Sequence, residues 1–189
     1  MSNLEETTLA NFTIDEKLIL VNESAVSPEE IIHKLGTLLF ENGFVKDSYT
    51  QAVLDREQVY PTGLQARMAG VAIPHTDTEH VLKPAIAIAT LGKPITFQMM
   101  ATPEEKVQVE IVIMLAVHDA KLVIPVLRKV IFILENDDAL VAMKKATTKT
   151  EVKTAMLKHI ESMNKKERFF ECRLRLVAPY FFKAYSGDQ

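Results

Sequence analysis

The chain has 189 residues, 48% of them hydrophobic, with 22 basic and 25 acidic side chains and a net charge of −3. That is enough apolar material for one ordinary core, and the charge gives no electrostatic reason to expect nucleic acid. No apolar run approaches the roughly 20 residues that span a bilayer, and a lone cysteine, Cys172, excludes an internal disulfide framework or a multi-cysteine zinc site. The opening Met1-Ser2-Asn3-Leu4-Glu5-Glu6 is acidic and lacks the basic flank and apolar stretch of a signal peptide. A cytoplasmic chain with no direct membrane insertion is expected. There is no Gly-rich phosphate loop and no Gly-x-Ser-x-Gly elbow, so nucleotide and α/β-hydrolase chemistry have no support.

Residues 1–13 are polar and read as a loose terminus. Leu18-Ile19-Leu20-Val21 reads as a first strand. Ser27-Pro28-Glu29-Glu30 is a helix start: Ser27 caps, Pro28 suits the first helical position and Glu30 completes a capping box. Ile31, Ile32, Leu35, Leu38 and Leu39 then share a face, His33 lies off it, and Gly43 ends the helix. A second helix runs from Asp47 to about Arg56-Glu57, and residues 58–68 read as loop.

Gly70-Val71-Ala72-Ile73-Pro74-His75 reads as a short buried strand that ends at a proline, since Pro74 has no N–H to give a sheet ladder. It hands over one histidine at a rigid strand end. Residues 85–91 form a buried strand with small residues on one face, Gly92-Lys93-Pro94 a turn, and Ile95-Thr96-Phe97 a short strand. Residues 107–116 begin by alternating and become continuously apolar, as a strand does when it enters a covered centre. Leu122, Val126, Leu127 and Val130 recur at helical spacing, with Pro125 placed in the first turn or at a kink. Further helices start at Asp137-Asp138 and Thr150-Glu151. The fold class is α/β (α+β): a mixed β-sheet flanked by helices, in a single domain. Residues 161–189, rich in Phe and Tyr, form a C-terminal extension of unassigned role.

His75, Asp77 and His80, with Glu79 as a base and His118 as a third ligand, make a candidate metal set. The His75–His80 spacing does not suit a helix, and no second cluster completes a site. No metal is expected. A phosphate-accepting histidine is the better reading. Neutral imidazole is a good nucleophile near neutral pH; Arg56 offers a planar donor fork to phosphate; Thr62 and Thr76 carry hydroxyl donors; Asp77 or a backbone carbonyl could set the His75 tautomer. The plain alternatives are a surface charge for Arg56 and a turn residue for Thr62.

Arg56-Glu57, Thr62-Gly63 and the segment from Gly70 to His75 together resemble the signature of the fructose/mannitol-type (type 2) enzyme IIA domain of the bacterial sugar phosphotransferase system. Lys93-Pro94-Ile95-Thr96-Phe97 and residues 107–116 fit its order, and Tyr60-Pro61-Thr62-Gly63 is most similar to the galactitol branch. The resemblance covers residues 14–160. It implies a phosphotransferase component in which His75 accepts a phosphoryl group from HPr and passes it to a cysteine of a cognate IIB protein, with IIC acting downstream. It implies that Arg56 helps hold the phosphoryl group and that no cofactor, metal or nucleotide is needed. Many members carry a second active-site histidine just before a leucine after the long central strand. Here Lys121 stands before Leu122, and His118 lies three residues earlier. A different class of function, a phosphorylation-dependent regulatory module like the nitrogen-related branch, stays open beside transport.

Overall fold

The computed structural model describes residue 12 and residues 14–163. Five strands and five α-helices follow in order: β1 (Ile19–Glu23), α1 (Pro28–Glu41), α2 (Tyr49–Val59), β2 (Gly63–Gln65), β3 (Gly70–Ala72), β4 (Ala85–Met99), β5 (Thr102–Ala116), α3 (Ala120–Leu134), α4 (Asp137–Lys145) and α5 (Lys149–Met163). The expectations of a loose stretch at 1–13 and an extension at 161–189 fall almost wholly outside the described residues. No helix among those residues is long and apolar enough to cross a membrane.

The first helix forms as its ends dictate. The Ser27 hydroxyl accepts the Glu30 N–H (3.3 Å), and the Glu30 carboxylate reaches back to the Val26 N–H (2.9 Å). At the other end Gly43 takes φ +73°, and the Phe44 N–H returns to the Leu39 carbonyl (3.0 Å). That closure satisfies the last carbonyls at a position where a side chain would be strained.

The sheet is mixed. β4 and β5 form a long antiparallel hairpin from Ala85↔Ala116 to Met99↔Thr102. β1 runs parallel to β4, and β3 runs parallel to β5. β2 pairs antiparallel with β3 and touches the end of β4 at Gly63↔Met99. Strand alternation then sorts the core into two layers. Ile86, Ile88, Ile111, Ile113 and Leu115 face α3, α4 and α5. Ala85, Ala87 and Ala89 face the other way, where Ile31, Ile32, Leu35 and Leu39 of α1 and Tyr49 and Val53 of α2 pack. Small residues on that face admit the two helices closely.

Three local expectations are corrected. Gly92-Lys93-Pro94 is no turn: it lies inside the continuous β4, at a register shift between Thr90 and Ile95. The three residues are exposed there, so the N–H that Pro94 lacks is not required by the ladder. β5 starts at Thr102, ahead of its apolar part, because the exposed end of the hairpin carries no hydrophobic pattern. β2 falls within the stretch read as loop; three residues are too few for periodicity, and β3 supplies the order. Of the two places open to Pro125, the first turn is ruled out: it lies further along, inside α3.

Gly70 is demanded by packing. A Cβ there would lie 2.0 Å from the Gln108 carbonyl oxygen of β5, so the two backbones approach closer than any side chain allows. Gly70→Ala is expected to cost about 1–3 kcal/mol, read as a lower urea midpoint at unchanged m-value.

Candidate functional site

β3 ends at Ala72, and the chain touches the sheet once more at His75, as an isolated parallel bridge to Leu115. The Pro74 carbonyl accepts the Leu115 N–H (3.0 Å). On its other side the Leu115 carbonyl accepts the hydroxyl of buried Tyr49 on α2 (2.9 Å). Proline therefore interrupts the strand without detaching it, because its carbonyl remains available. The segment is drawn into the body of the domain, and His75 keeps 5% of its surface.

The ring is oriented by its own chain. His75 Nδ1 lies 2.9 Å from the Ile73 carbonyl oxygen. A carbonyl only accepts, so Nδ1 carries the proton and Nε2 carries the lone pair. Of the two tautomer-setting partners open in the sequence, a backbone carbonyl takes the part. Burial, helped by the neighbouring Arg56 charge, pushes the imidazole down to about 4 against the bonding that favours its charged form. At neutral pH His75 is uncharged.

Arg56 lies in the last turn of α2, with 9% of its side chain exposed. Its Nη1 donates to Asp77 Oδ1 (3.2 Å), and its guanidinium carbon sits 5.6 Å from the centre of the Tyr60 ring. Asp77 thus orients the arginine rather than the histidine. Spacing alone does not reveal this, since the two partners meet only when α2 and the segment after β3 come together. Tyr49, at the start of α2, is a contact that the spacing likewise does not reveal.

Thr62 and Thr76 are both buried. The Thr62 N–H and hydroxyl donate to the two carboxylate oxygens of Glu57 (2.9 and 2.7 Å). His118 is exposed, two residues past the end of β5 and three after Leu115, which bridges to His75. His80 is peripheral: its Nδ1 pairs with the Ser48 hydroxyl (2.9 Å) and its Nε2 lies 3.4 Å from Glu79. His33 is exposed on α1. Among the described residues no group of three or more His, Cys, Asp or Glu side chains is arranged to hold a metal ion.

A buried neutral histidine makes stability depend on pH. In the unfolded chain the imidazole titrates near about 6.5; in the fold it titrates near about 4. Between those values the unfolded state binds more protons, so this contribution is present above the upper value and is lost as pH falls. His75→Gln is expected to gain about 2 kcal/mol relative to wild type on going from neutral pH to about pH 5. Urea titrations at the two pH values measure the difference.

The chain matches the phosphoenolpyruvate-dependent sugar phosphotransferase system EIIA 2 family over residues 12–159. It is 32% identical over 145 residues to the transcriptional regulator ManR of Bacillus subtilis, covering 76% of this chain and 20% of the regulator. It is 30% identical over 105 residues to the galactitol-specific EIIA component of the phosphotransferase system of Escherichia coli K12, covering 56% of this chain and 69% of that protein. Among solved structures it resembles the mannitol IIA of Escherichia coli, with TM-score 0.65 and 25% identity over 77% of this chain and 99% of that one. The mannitol IIA bound to its phosphorylated IIB gives TM-score 0.65 at 24% identity, over 78% and 99%. The mixed five-stranded sheet flanked by helices is the fold of these neighbours, and with the family match it makes this chain a member of the type 2 EIIA family of the sugar phosphotransferase system.

Proposed function

We propose that this chain is a cytoplasmic phosphocarrier in which His75 Nε2 accepts a phosphoryl group from phospho-HPr and passes it to a cysteine of a cognate IIB component. The observation that carries this reading is the His75 Nδ1–Ile73 carbonyl bond. It leaves the lone pair of a neutral imidazole on Nε2 at neutral pH, which is the species that attacks phosphorus. As the N–P bond to Nε2 forms, the N–P bond of the donor histidine breaks and the donor ring leaves with the electron pair. Transfer between two imidazoles is nearly isoenergetic, so alignment and charge stabilisation carry the rate. Arg56, presented by Asp77 beside the ring, faces the incoming phosphoryl oxygens. Thr76 and His118 supply further donors at the same strand ends, and Thr62, held by Glu57, supports the site from the neighbouring strand. The structural relative solved with its phosphorylated IIB supports a IIB partner. The galactitol-specific relatives support galactitol or a related polyol as the sugar handled downstream through IIC.

A second reading has one specific observation behind it. The alignment to a transcriptional regulator spans more of this chain than the alignment to the galactitol components. In that reading the same phosphohistidine changes charge at a contact surface and acts as a switch.

Incubation with phosphoenolpyruvate, enzyme I and HPr, followed by intact mass, tests the acceptor chemistry. One acid-labile phosphoryl adduct is expected on wild type and none on His75→Ala. Arg56→Ala is expected to fold and accept about a hundredfold more slowly. An adduct that persists in His75→Ala would overturn the assignment. Transfer onward to a purified IIB separates carrier from switch.

A further inference from the structure

Glu57 follows Arg56 on α2 but turns to a different task. Its carboxylate accepts both the N–H and the hydroxyl of Thr62. Thr62 lies one residue before β2, directly across from Ile73, since Gly63 pairs with Ala72 in the β2–β3 ladder. The Thr62 carbonyl accepts the Ile73 N–H (3.4 Å). The Ile73 carbonyl in turn accepts the His75 Nδ1 proton. Four residues therefore form one continuous run of hydrogen bonds from a carboxylate to the imidazole.

We infer that Glu57 is a positioning residue for His75, acting through Thr62 and Ile73 to hold the carbonyl that sets the imidazole tautomer. The inference rests on the reading of His75 as the phosphoryl acceptor, and it assigns Glu57 no contact with the phosphoryl group.

The carboxylate is suited to grip Thr62 only when it is ionised. An ionised carboxylate accepts both Thr62 donors in charge-assisted bonds. With a proton on one oxygen it accepts the N–H but must donate to the Thr62 oxygen, so the hydroxyl bond reverses and both bonds lose their ionic character. Burial pushes Glu57 up to about 7, against the lowering effect of the two Thr62 bonds. The group therefore changes state near neutral pH. It sits at the wall of a cavity of about 240 Å³ between α1, α2 and β4. From α1 the facing charge is Glu29, which raises Glu57 further. From β4 the facing groups are Thr96, Phe97 and Gln98, none of them charged. On its own helix, neighbouring Arg56 is directed to Asp77. Nothing in that wall offers the carboxylate a positive partner, which leaves Thr62 as its anchor.

The test follows the ring nitrogens of His75 by long-range 1H–15N correlation between about pH 5.5 and about pH 8.5. The rate of phosphoryl uptake from phospho-HPr is measured over the same range, with wild type and variants compared at each pH so that the donor's own titration cancels. In wild type, both readouts are expected to inflect near 7. In Glu57→Gln, whose amide mimics the protonated acid, the inflection is expected to vanish. Uptake at about pH 8 should then be about tenfold slower than wild type. In Thr62→Val the loss of a donor removes a bond that lowers Glu57, so the inflection should move above 7. A merely structural role would lower thermal stability without erasing the inflection. An inflection that persists unchanged in Glu57→Gln, or none in wild type, overturns the inference. If wild type takes up no phosphoryl group, the proposed function fails, while the ring-nitrogen titration still decides the role of Glu57.

Discussion

A single parallel contact, between the Pro74 carbonyl and the Leu115 N–H, sets where everything else in the site lies. It ties the segment after β3 to the end of β5, the strand at the centre of the domain. Leu115 is itself held from α2 by Tyr49 and from β4 by its antiparallel partner Ile86. The histidine thus inherits the rigidity of the buried end of β5 while standing outside the regular ladder. A backbone that continued as strand would bind its next groups in the ladder; one that left as loop would not hold an imidazole still. Proline satisfies both requirements because it removes a donor and keeps an acceptor.

Enclosure then acts on the charges in opposite directions. The same loss of water that pushes His75 down pushes Glu57 up, because burial disfavours whichever form is charged. His75 becomes a neutral base across the physiological range. Glu57 becomes an acid balanced near neutrality, offset by two Thr62 bonds. Arg56, which cannot lose its proton, is held by Asp77 close enough for its charge to act on the ring. A base, a fixed cation and a titrating carboxylate are set around one segment by a few ångströms of packing.

Family membership and site chemistry answer different questions. The chain is similar to a galactitol-specific component of the phosphotransferase system and to part of a transcriptional regulator. A scaffold of this kind hosts either use.

Much of the architecture was written locally. Ser27, Pro28 and Glu30 start α1, Gly43 ends it, and the Ala/Ile alternation of residues 85–89 assigns the two faces of β4. Gly70, Pro74 and His75 were legible as a strand end that carries an imidazole. These signals are carried by consecutive residues whose sterics and polarity act within one or two turns. The tertiary structure alone decided that Ile73 sets the tautomer, that Asp77 holds Arg56, that Thr62 answers to Glu57, and that residues 92–94 stay in strand. Each of those outcomes is a hydrogen bond, ion pair or ladder contact whose geometry is created by packing, and a sequence lists such groups without saying which of them will meet.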